Sequence, residues 1–263
     1  MTNLIEFICP ERYKNIIPEP VPCYKEFPEW FSSTKNISVS KSKCPFNFLH
    51  DKKLIKNTNI KKCPGVTDFL KTGYVIKNWT NILVRSETPS GNLYFDWEHN
   101  YHESVDYGLH SSEEYDGMID SELPIYNGFH KISSPWYVKT SPGVSCYYTH
   151  PFWNREKRFT TVSGIIHTDI SPISIKWFFE WNTILKKTLS LDEIDSEIQF
   201  IKKDTPLIMI FPFVRNQFNM KINYLEEENF KSDVVDINFL KTHDWFGNSL
   251  YNLFRKKQRI EFK

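Results

Sequence analysis

The stretch ISIKWFFEW, residues 173–181, decides the fold class because its large apolar side chains recur at every second position. These five side chains are Ile173, Ile175, Trp177, Phe179 and Trp181. In an extended strand successive side chains alternate between two faces, so all five would lie on one side. The stretch therefore predicts a β-strand with one face turned to the core.

The segments on either side of this stretch repeat a pattern of strands and short turns. Residues 131–151 predict two strands around a Ser-Pro-Gly turn, and residues 198–215 predict two strands around a polar turn. Residues 74–97 predict a further hairpin. Strands joined by turns at short intervals are typical of antiparallel sandwiches and barrels. We therefore expect a mainly β (α+β) fold with an antiparallel β-barrel or sandwich core.

The two ends of the chain differ from this middle part. Residues 9–31 contain five prolines, which exclude a long helix or a central strand. We expect residues 1–62 to form an extended proline-rich arm with loops. Residues 63–263 are expected to form a single β-rich domain. It would end in an amphipathic helix at about 236–258, where apolar residues recur at three- and four-residue steps.

Composition excludes several classes of protein. The net charge of +1 gives no basic field to attract nucleic acid or acidic lipid, and no apolar run reaches 18 residues. The start of the chain lacks the pattern of a secretory signal. The five cysteines lack the close pairing of a zinc site, which favours reduced thiols. We therefore expect a soluble protein in the cytoplasm, or in the host cytoplasm if it is viral.

Several motifs resemble a family of uncharacterised proteins from tailed phages of marine bacteria and from some bacterial genomes. The motifs are FPEWF, KKCPG, TGYVI, SPWYVKTSPGVS, SGIIHTD and DTPLIMIFPFVR, which together cover most of residues 27–215. The resemblance implies a phage-associated protein and supplies no activity. Where this family more usually has an aspartate, the present chain has His167.

A weaker resemblance is to dUTPase-like β-clip enzymes, carried by SPGVS, GIIHTD and KDTPLIMIF in the same order along the chain. It implies a β-clip-like core over residues 136–215. The family's water-activating aspartate would fall on His167, and its glycine and glutamine would fall on Asp204 and Ile208. The resemblance therefore implies a shared fold without dUTPase chemistry. By analogy with clip folds, assembly into a homo-oligomer is also expected.

One candidate catalytic constellation is His167-x-Asp169 followed by His243. Two histidines and a carboxylate are the ligand set of Fe(II) oxygenases, and alternate strand positions face one side. Arg255, twelve residues after His243, would then bind the carboxylate of 2-oxoglutarate. Fe(II) and 2-oxoglutarate are cofactors only under this hypothesis. The simpler structural interpretation is that the His-x-Asp pair is the polar end of a buried strand.

Weaker candidates have simpler interpretations. His99, His102 and Glu103 could hold a metal on one helical turn, but we interpret them as part of an exposed polar loop after a strand. The acidic stretch 110–122 lacks the ligand spacing of a calcium loop. Cys146 lies mid-strand near His150, and we interpret it as a small buried apolar residue rather than a nucleophile.

The leading hypothesis is a module that binds a small molecule or a protein partner, without an evident catalytic constellation. Its candidate ligand-binding residues are Trp136, Lys139, His167, Asp169 and Arg215, which lie at predicted strand ends. The alternatives are the Fe(II)/2-oxoglutarate oxygenase with His167, Asp169 and His243 as metal ligands, and a structural component of a virion.

Overall fold

The computed structural model describes residues 4–35, 37–41, 54–58, 60–87, 92–97, 106–110, 114, 129–182 and 197–230. The chain divides into two compact units, Met1–Arg215 and Asn216–Lys263. The strands, and with them the candidate site, belong to the first unit.

Fifteen strands lie within the described residues. In chain order they are β1 (Ile5–Ile8), β2 (Val21–Pro22), β3 (Ile37–Lys41), β4 (Leu54–Thr58), β5 (Tyr74–Lys77), β6 (Ile82–Glu87), β7 (Asn92–Trp97), β8 (Tyr107–Leu109), β9 (Phe129–Thr140), β10 (Val144–Thr149), β11 (Phe159–Thr161), β12 (Gly164–His167), β13 (Ile173–Trp181), β14 (Glu197–Ile201) and β15 (Pro206–Val214). Short α-helices lie at α1 (Glu29–Ser33), α2 (Pro64–Phe69) and α3 (Glu227–Phe230). Single 3-10 turns lie at Glu11–Tyr13, Cys23–Lys25, Ile60–Lys62 and Phe152–Asn154.

The strands form two five-stranded sheets and two smaller ones. Sheet A has the order β1-β9-β13-β11, with β8 also paired to β9, and sheet B has the order β12-β10-β15-β5-β2. The smaller sheets have the orders β14-β6-β7 and β3-β4. The pairs with a recorded register are antiparallel. The expected mainly β, antiparallel fold is confirmed, and no sheet built from the described strands closes into a barrel.

Strand β13 confirms the alternation expected of ISIKWFFEW. The side chains of Ile175, Trp177, Phe179 and Trp181 are buried, whereas Lys176 between them is exposed. Trp177 and Phe179 stack with ring centroids 3.7 Å apart. Aromatic pairs of this kind add stabilisation beyond the area that they bury. The strand therefore forms the centre of the core.

The two large sheets pack face to face. One buried cluster contains Ile132 and Val138 from β9 in sheet A together with Cys146, Tyr148 and Ile210 from β10 and β15 in sheet B. The inner face of each sheet thus supplies side chains to a shared apolar core, as in a β-sandwich. A second buried cluster of Cys23, Val75 and Met209, with Phe69 and Phe211 packed against it, covers part of the outer face of sheet B.

The proline-rich start of the chain is more closely integrated than an arm lying over the surface. Strand β1 pairs with β9 at one edge of sheet A, and β2 pairs with β5 at one edge of sheet B. Tyr13 and Ile17, between these strands, are buried in the core. Proline is tolerated at a sheet edge because the missing N–H faces away from the ladder. Pro22 in the edge strand β2 occupies such a position.

The hairpin between β9 and β10 carries the chain from sheet A to sheet B. Gly143 closes the turn with φ of +80°, a conformation that costs other residues free energy. Thr140, at the end of β9, donates its backbone N–H to the Thr168 carbonyl at 3.0 Å, and the two hydroxyl oxygens lie 2.7 Å apart. These contacts hold the end of β12 beside the turn. The predicted helix at 236–258 lies outside the described residues.

Candidate functional site

The candidate site forms where three parts of sheet B end together. Strand β10 pairs with β12 on one side and with β15 on the other, so Ser145 lies directly opposite both His167 and Phe213. Two residues nearer the turn, the Gly143 carbonyl accepts the Arg215 backbone N–H at 2.9 Å. The Gly143 N–H donates to an Asp169 carboxylate oxygen, also at 2.9 Å. Residues 167, 169 and 215 therefore meet at one corner of the sheet.

The Arg215 guanidinium is the centre of this corner. Its Nη1 lies 2.8 Å from Ser145 Oγ, 3.1 Å from His167 Nδ1 and 3.0 Å from Asp169 Oδ1. Its Nη2 forms an ion pair with Asp169 Oδ2. The hydrogen bonds from Arg215, and then the one from Gly143, hold the pKa of Asp169 well below its usual range. The same pair raises the pKa of Arg215.

Ser145 and His167 are residue types that can act as a nucleophile and its base. However, Ser145 is not accessible to a substrate. Ser145 Oγ lies 2.8 Å from His167 Nδ1, within the reach that such pairs need. However, Ser145 has no exposed surface, and the Arg215 hydrogen also points at Nδ1. An imidazole nitrogen that accepts this hydrogen cannot also remove a proton from the serine. The geometry favours a binding or architectural role over nucleophilic attack.

A row of side chains on the outer face of sheet B extends from this corner, and we call it the outer strip. Its members are Ser145, Tyr147 and Thr149 of β10, Ser163, Ile165 and His167 at β12, and Phe211, Phe213 and Arg215 at β15. The middle of the strip is apolar and open to solvent: Ile165 is 58% exposed, Tyr147 38% and Phe213 36%.

The second end of the outer strip is polar and uncharged. Thr149 Oγ1 and Ser163 Oγ lie 2.8 Å apart. Hydrogen bonds with Ser163 and Thr149 lower the pKa of the Tyr147 hydroxyl. The outer strip therefore has an apolar middle between a hydroxyl-rich end and a charged end.

The remaining predicted ligand residues lie elsewhere. Trp136 donates its indole N–H to the Pro18 carbonyl at 3.0 Å and lines a pocket of about 350 Å³ with Phe7 and Tyr13. Lys139 is exposed on β9 of sheet A, opposite Glu6 of β1. The structure thus brings together His167, Asp169 and Arg215, whereas Trp136 contacts Pro18 and Lys139 lies opposite Glu6.

The predicted metal ligands are only partly described. His167 and Asp169 do project to the same side, as the His-x-Asp spacing predicts, because both contact Arg215 Nη1. In this arrangement a cationic guanidinium occupies the space between them. His243 and Arg255 lie outside the described residues, so the iron site stays a prediction. Within the part of the chain that is described, no group of three histidine, cysteine or acidic residues is arranged to hold a metal ion.

Of the weaker candidate residues, some lie within the described part of the chain and others lie outside it. His99, His102 and Glu103 lie outside the described residues. Cys146 is fully buried, and burial raises the pKa of its thiol. Its interpretation as a small apolar core residue is confirmed. His150 accepts the Thr161 backbone N–H at 3.2 Å and is not bonded to that thiol.

Sequence reasoning missed Ser145, Tyr147, Ile165 and Phe213. The alternation that places them on one face is present in VSCYYT and GIIH. However, only the register between β10, β12 and β15 shows that these faces coincide. A pattern within one strand cannot report which other strand lies beside it.

Comparisons with known proteins give no identification. No protein-family model matches the chain, and no curated protein matches it. Among the described residues there is no helix with the length and apolar character needed to cross a membrane.

Proposed function

We propose that this chain is a binding module that captures an extended polypeptide segment on the outer strip of sheet B. The observation that carries this proposal is the exposure of Ile165, 58%, on a strand at the edge of the sheet and beside the exposed rings of Tyr147 and Phe213. Contiguous exposed apolar side chains on a folded domain mark interaction sites more often than chance.

The edge strand β12 has the features of a pairing site. Within the described strands it pairs with β10 alone, so its other side is available for a further strand. Edge strands are commonly protected by lysine or proline, and Gly164–His167 contains neither. An extended peptide can add to such an edge through main-chain hydrogen bonds, while side-chain contacts set its specificity.

The two ends of the outer strip give it a direction. The six steps from Gly143 to Thr149 span roughly 20 Å, the length of about six residues of an extended ligand. The ion pair of Arg215 with Asp169 and the His167 imidazole at one end suit a hydrogen-bonding group, and the hydroxyls at the other end suit a neutral polar group. The ligand we propose is therefore apolar in its middle and polar at both ends.

For the architecture, we propose a β-clip-like core as the finer description of the sandwich. It is supported by the order of the three motifs that resemble β-clip enzymes: the turn at residues 141–143 leads into β10, and β12 and β15 lie on either side of β10 in sheet B. The phage association stays a proposal on the motifs alone.

The test uses labelled synthetic peptides of about ten residues in which apolar and polar residues alternate and both ends are polar. Binding to the full chain is measured by fluorescence anisotropy. We expect saturable binding that falls at least tenfold in Ile165→Lys. The matched control is Ile170→Lys, because Ile170 is also an exposed isoleucine, 85% exposed, in the turn after β12.

Two further measurements decide the outcome. A peptide N-methylated at alternate positions loses main-chain donors and should bind more weakly if strand addition to β12 contributes. Circular dichroism checks that each variant keeps its sheet structure. Absence of binding to every alternating peptide, or equal losses in Ile165→Lys and Ile170→Lys, would overturn the proposal.

A further inference from the structure

The second unit begins with a segment whose apolar side chains are exposed. From residue 217 to 224, apolar Phe218, Met220, Ile222 and Tyr224 alternate with polar Gln217, Asn219, Lys221 and Asn223. The four apolar side chains are between 63% and 94% exposed. The backbone from 216 to 226 is neither helical nor paired in a sheet. We call residues 217–225 the tail segment.

The tail segment has the pattern of a strand that lacks its partner surface. Alternation at period two places all four apolar side chains on one side of an extended chain, with polar side chains on the other. Large apolar side chains that stay in water forgo the free energy that their burial would release. A monomeric domain rarely exposes such a row without a binding role.

We propose that the tail segment of one copy docks on the outer strip of a second copy of this chain. This inference rests on the proposed function and names the partner that it left open. The apolar side of the tail segment would cover Ile165, Tyr147 and Phe213, and its polar side would face water. Reciprocal exchange between two copies closes the assembly without leaving a segment or a strip unused.

The area available is that of a stable interface. An aromatic side chain buries about 150–250 Å², so Phe218 and Tyr224 with the two aliphatic side chains supply roughly 600 Å² per tail segment. Two segments supply roughly 1,200 Å² before the area of the covered strips is added. Stable interfaces bury about 1,200–2,000 Å² in total, so the exchange reaches this range.

The lengths of the tail segment and the outer strip also match. The six steps from Phe218 to Tyr224 span roughly 20 Å in an extended chain, the same length as the outer strip. The tail segment is followed directly by Glu226, Glu227 and Glu228. These carboxylates lie beyond the apolar residues of the tail segment and would stay in water when it docks.

The experiment measures association of the full chain by sedimentation velocity over a concentration series. The strip variant is Ile165→Lys, the tail variant is Met220→Lys with Ile222→Lys, and the control is Ile170→Lys. We expect the unmodified chain and the control to associate and each of the other two to be monomeric at the same concentrations. Because the changed side chains are exposed, the fold is expected to survive, which circular dichroism checks.

Mixing the two defective variants gives the decisive result. The strip variant retains a normal tail segment and the tail variant retains a normal outer strip, so their mixture should form a 1:1 complex through one contact. A chain that stays monomeric at every concentration, or association that neither variant weakens, would overturn the inference. Failure of the mixture to associate would do the same.

A synthetic peptide of residues 216–226 separates this inference from the proposed function. If the peptide or the unrelated alternating peptides bind the outer strip while the full chain is monomeric, the strip is a binding site for another protein and only self-association is wrong. If no peptide binds and the full chain does not associate, both proposals fail.

Discussion

Arg215 joins the ends of β12 and β15 through Asp169, across the intervening strand β10. The Nη1 atom of Arg215 lies 3.0 Å from Asp169 Oδ1, and the Asp169 carboxylate also accepts the Gly143 N–H at 2.9 Å. One side chain thus ties the β9–β10 turn, the exit of β12 and the end of β15 into a single corner. The same contacts place His167 at the charged end of the outer strip.

The Arg215→Gln variant tests the stabilising part of this corner. It removes the ion pair and leaves the Asp169 charge beside fewer donors, which favours unfolding. We expect a clearly lower midpoint in urea unfolding than for Arg85→Gln. Arg85 forms an exposed ion pair with Asp96, and pairs of that type contribute only about 0–1 kcal/mol. Equal midpoints for the two variants would contradict a stabilising role for Arg215.

Acidification should weaken the same corner. Because hydrogen bonds with Arg215 and Gly143 depress the pKa of Asp169 in the folded state, the unfolded state binds its proton more readily. The contribution of Asp169 is fully present above its ordinary pKa and is lost as the pH falls toward the folded value. Urea unfolding of Asp169→Asn should therefore show a smaller loss of stability between pH 7 and pH 3 than the unmodified chain. An unchanged loss would rule out this linkage.

His130 predicts a second dependence on pH, in a different window. It is buried against Phe95 and Phe179, its Nδ1 contacts the Tyr107 hydroxyl at 3.0 Å, and burial lowers its pKa to about 4. Between pH 6.5 and pH 4, His130 is protonated in the unfolded state but not in the folded state. The free energy of unfolding therefore falls as the pH is lowered. The total effect is about 3 kcal/mol.

The measurement compares His130→Phe with the unmodified chain by urea unfolding at pH 7, 5 and 4. Phenylalanine keeps the ring but cannot titrate, so the variant should be the less pH-dependent of the two over this window. Parallel curves for the two proteins would show that His130 is not desolvated in the folded state.

Gly73 and Gly143 each require glycine, but for different reasons. Both have positive φ, but a Cβ at Gly73 would clash with the Ile210 carbonyl and lie 2.9 Å from Phe211 Cδ1, whereas one at Gly143 meets nothing within 4 Å. Gly143→Ala should cost about 1–2 kcal/mol of unfolding free energy from backbone strain alone. Gly73→Ala should cost more, because the β5–β15 pairing must shift. Chemical denaturation of both variants decides the order.

The sequence predicts the fold class well because a strand with one buried face has apolar residues at every second position. The alternation in residues 173–181 is enough to place Trp177 and Phe179 in the core, and the His-x-Asp spacing is enough to place His167 and Asp169 on one side. The sequence does not show that Arg215 reaches both of them, since that contact depends on β12 and β15 lying on opposite sides of β10. Pairing between distant strands leaves no local pattern.

The N-terminal segment shows the same limit. Its prolines correctly exclude a long helix, but proline also permits an edge strand, and nothing in residues 5–22 indicates which edge they occupy. The sequence predicts that Trp136 lies beside His167 because both are near strand ends. Its contact with Pro18 instead belongs to the N-terminal segment that lines the Trp136 pocket.

Because β5 pairs with both β2 and β15, sheet B can be completed only late in the synthesis of the chain. Val75 pairs with Val21 on one side and with Met209 on the other, so sheet B is incomplete until residues near 214 have left the ribosome. Contacts this distant along the chain close slowly, and the unfinished sheet exposes edges while synthesis continues. We therefore expect nascent chains shorter than about 215 residues to depend on chaperones to stay out of aggregates.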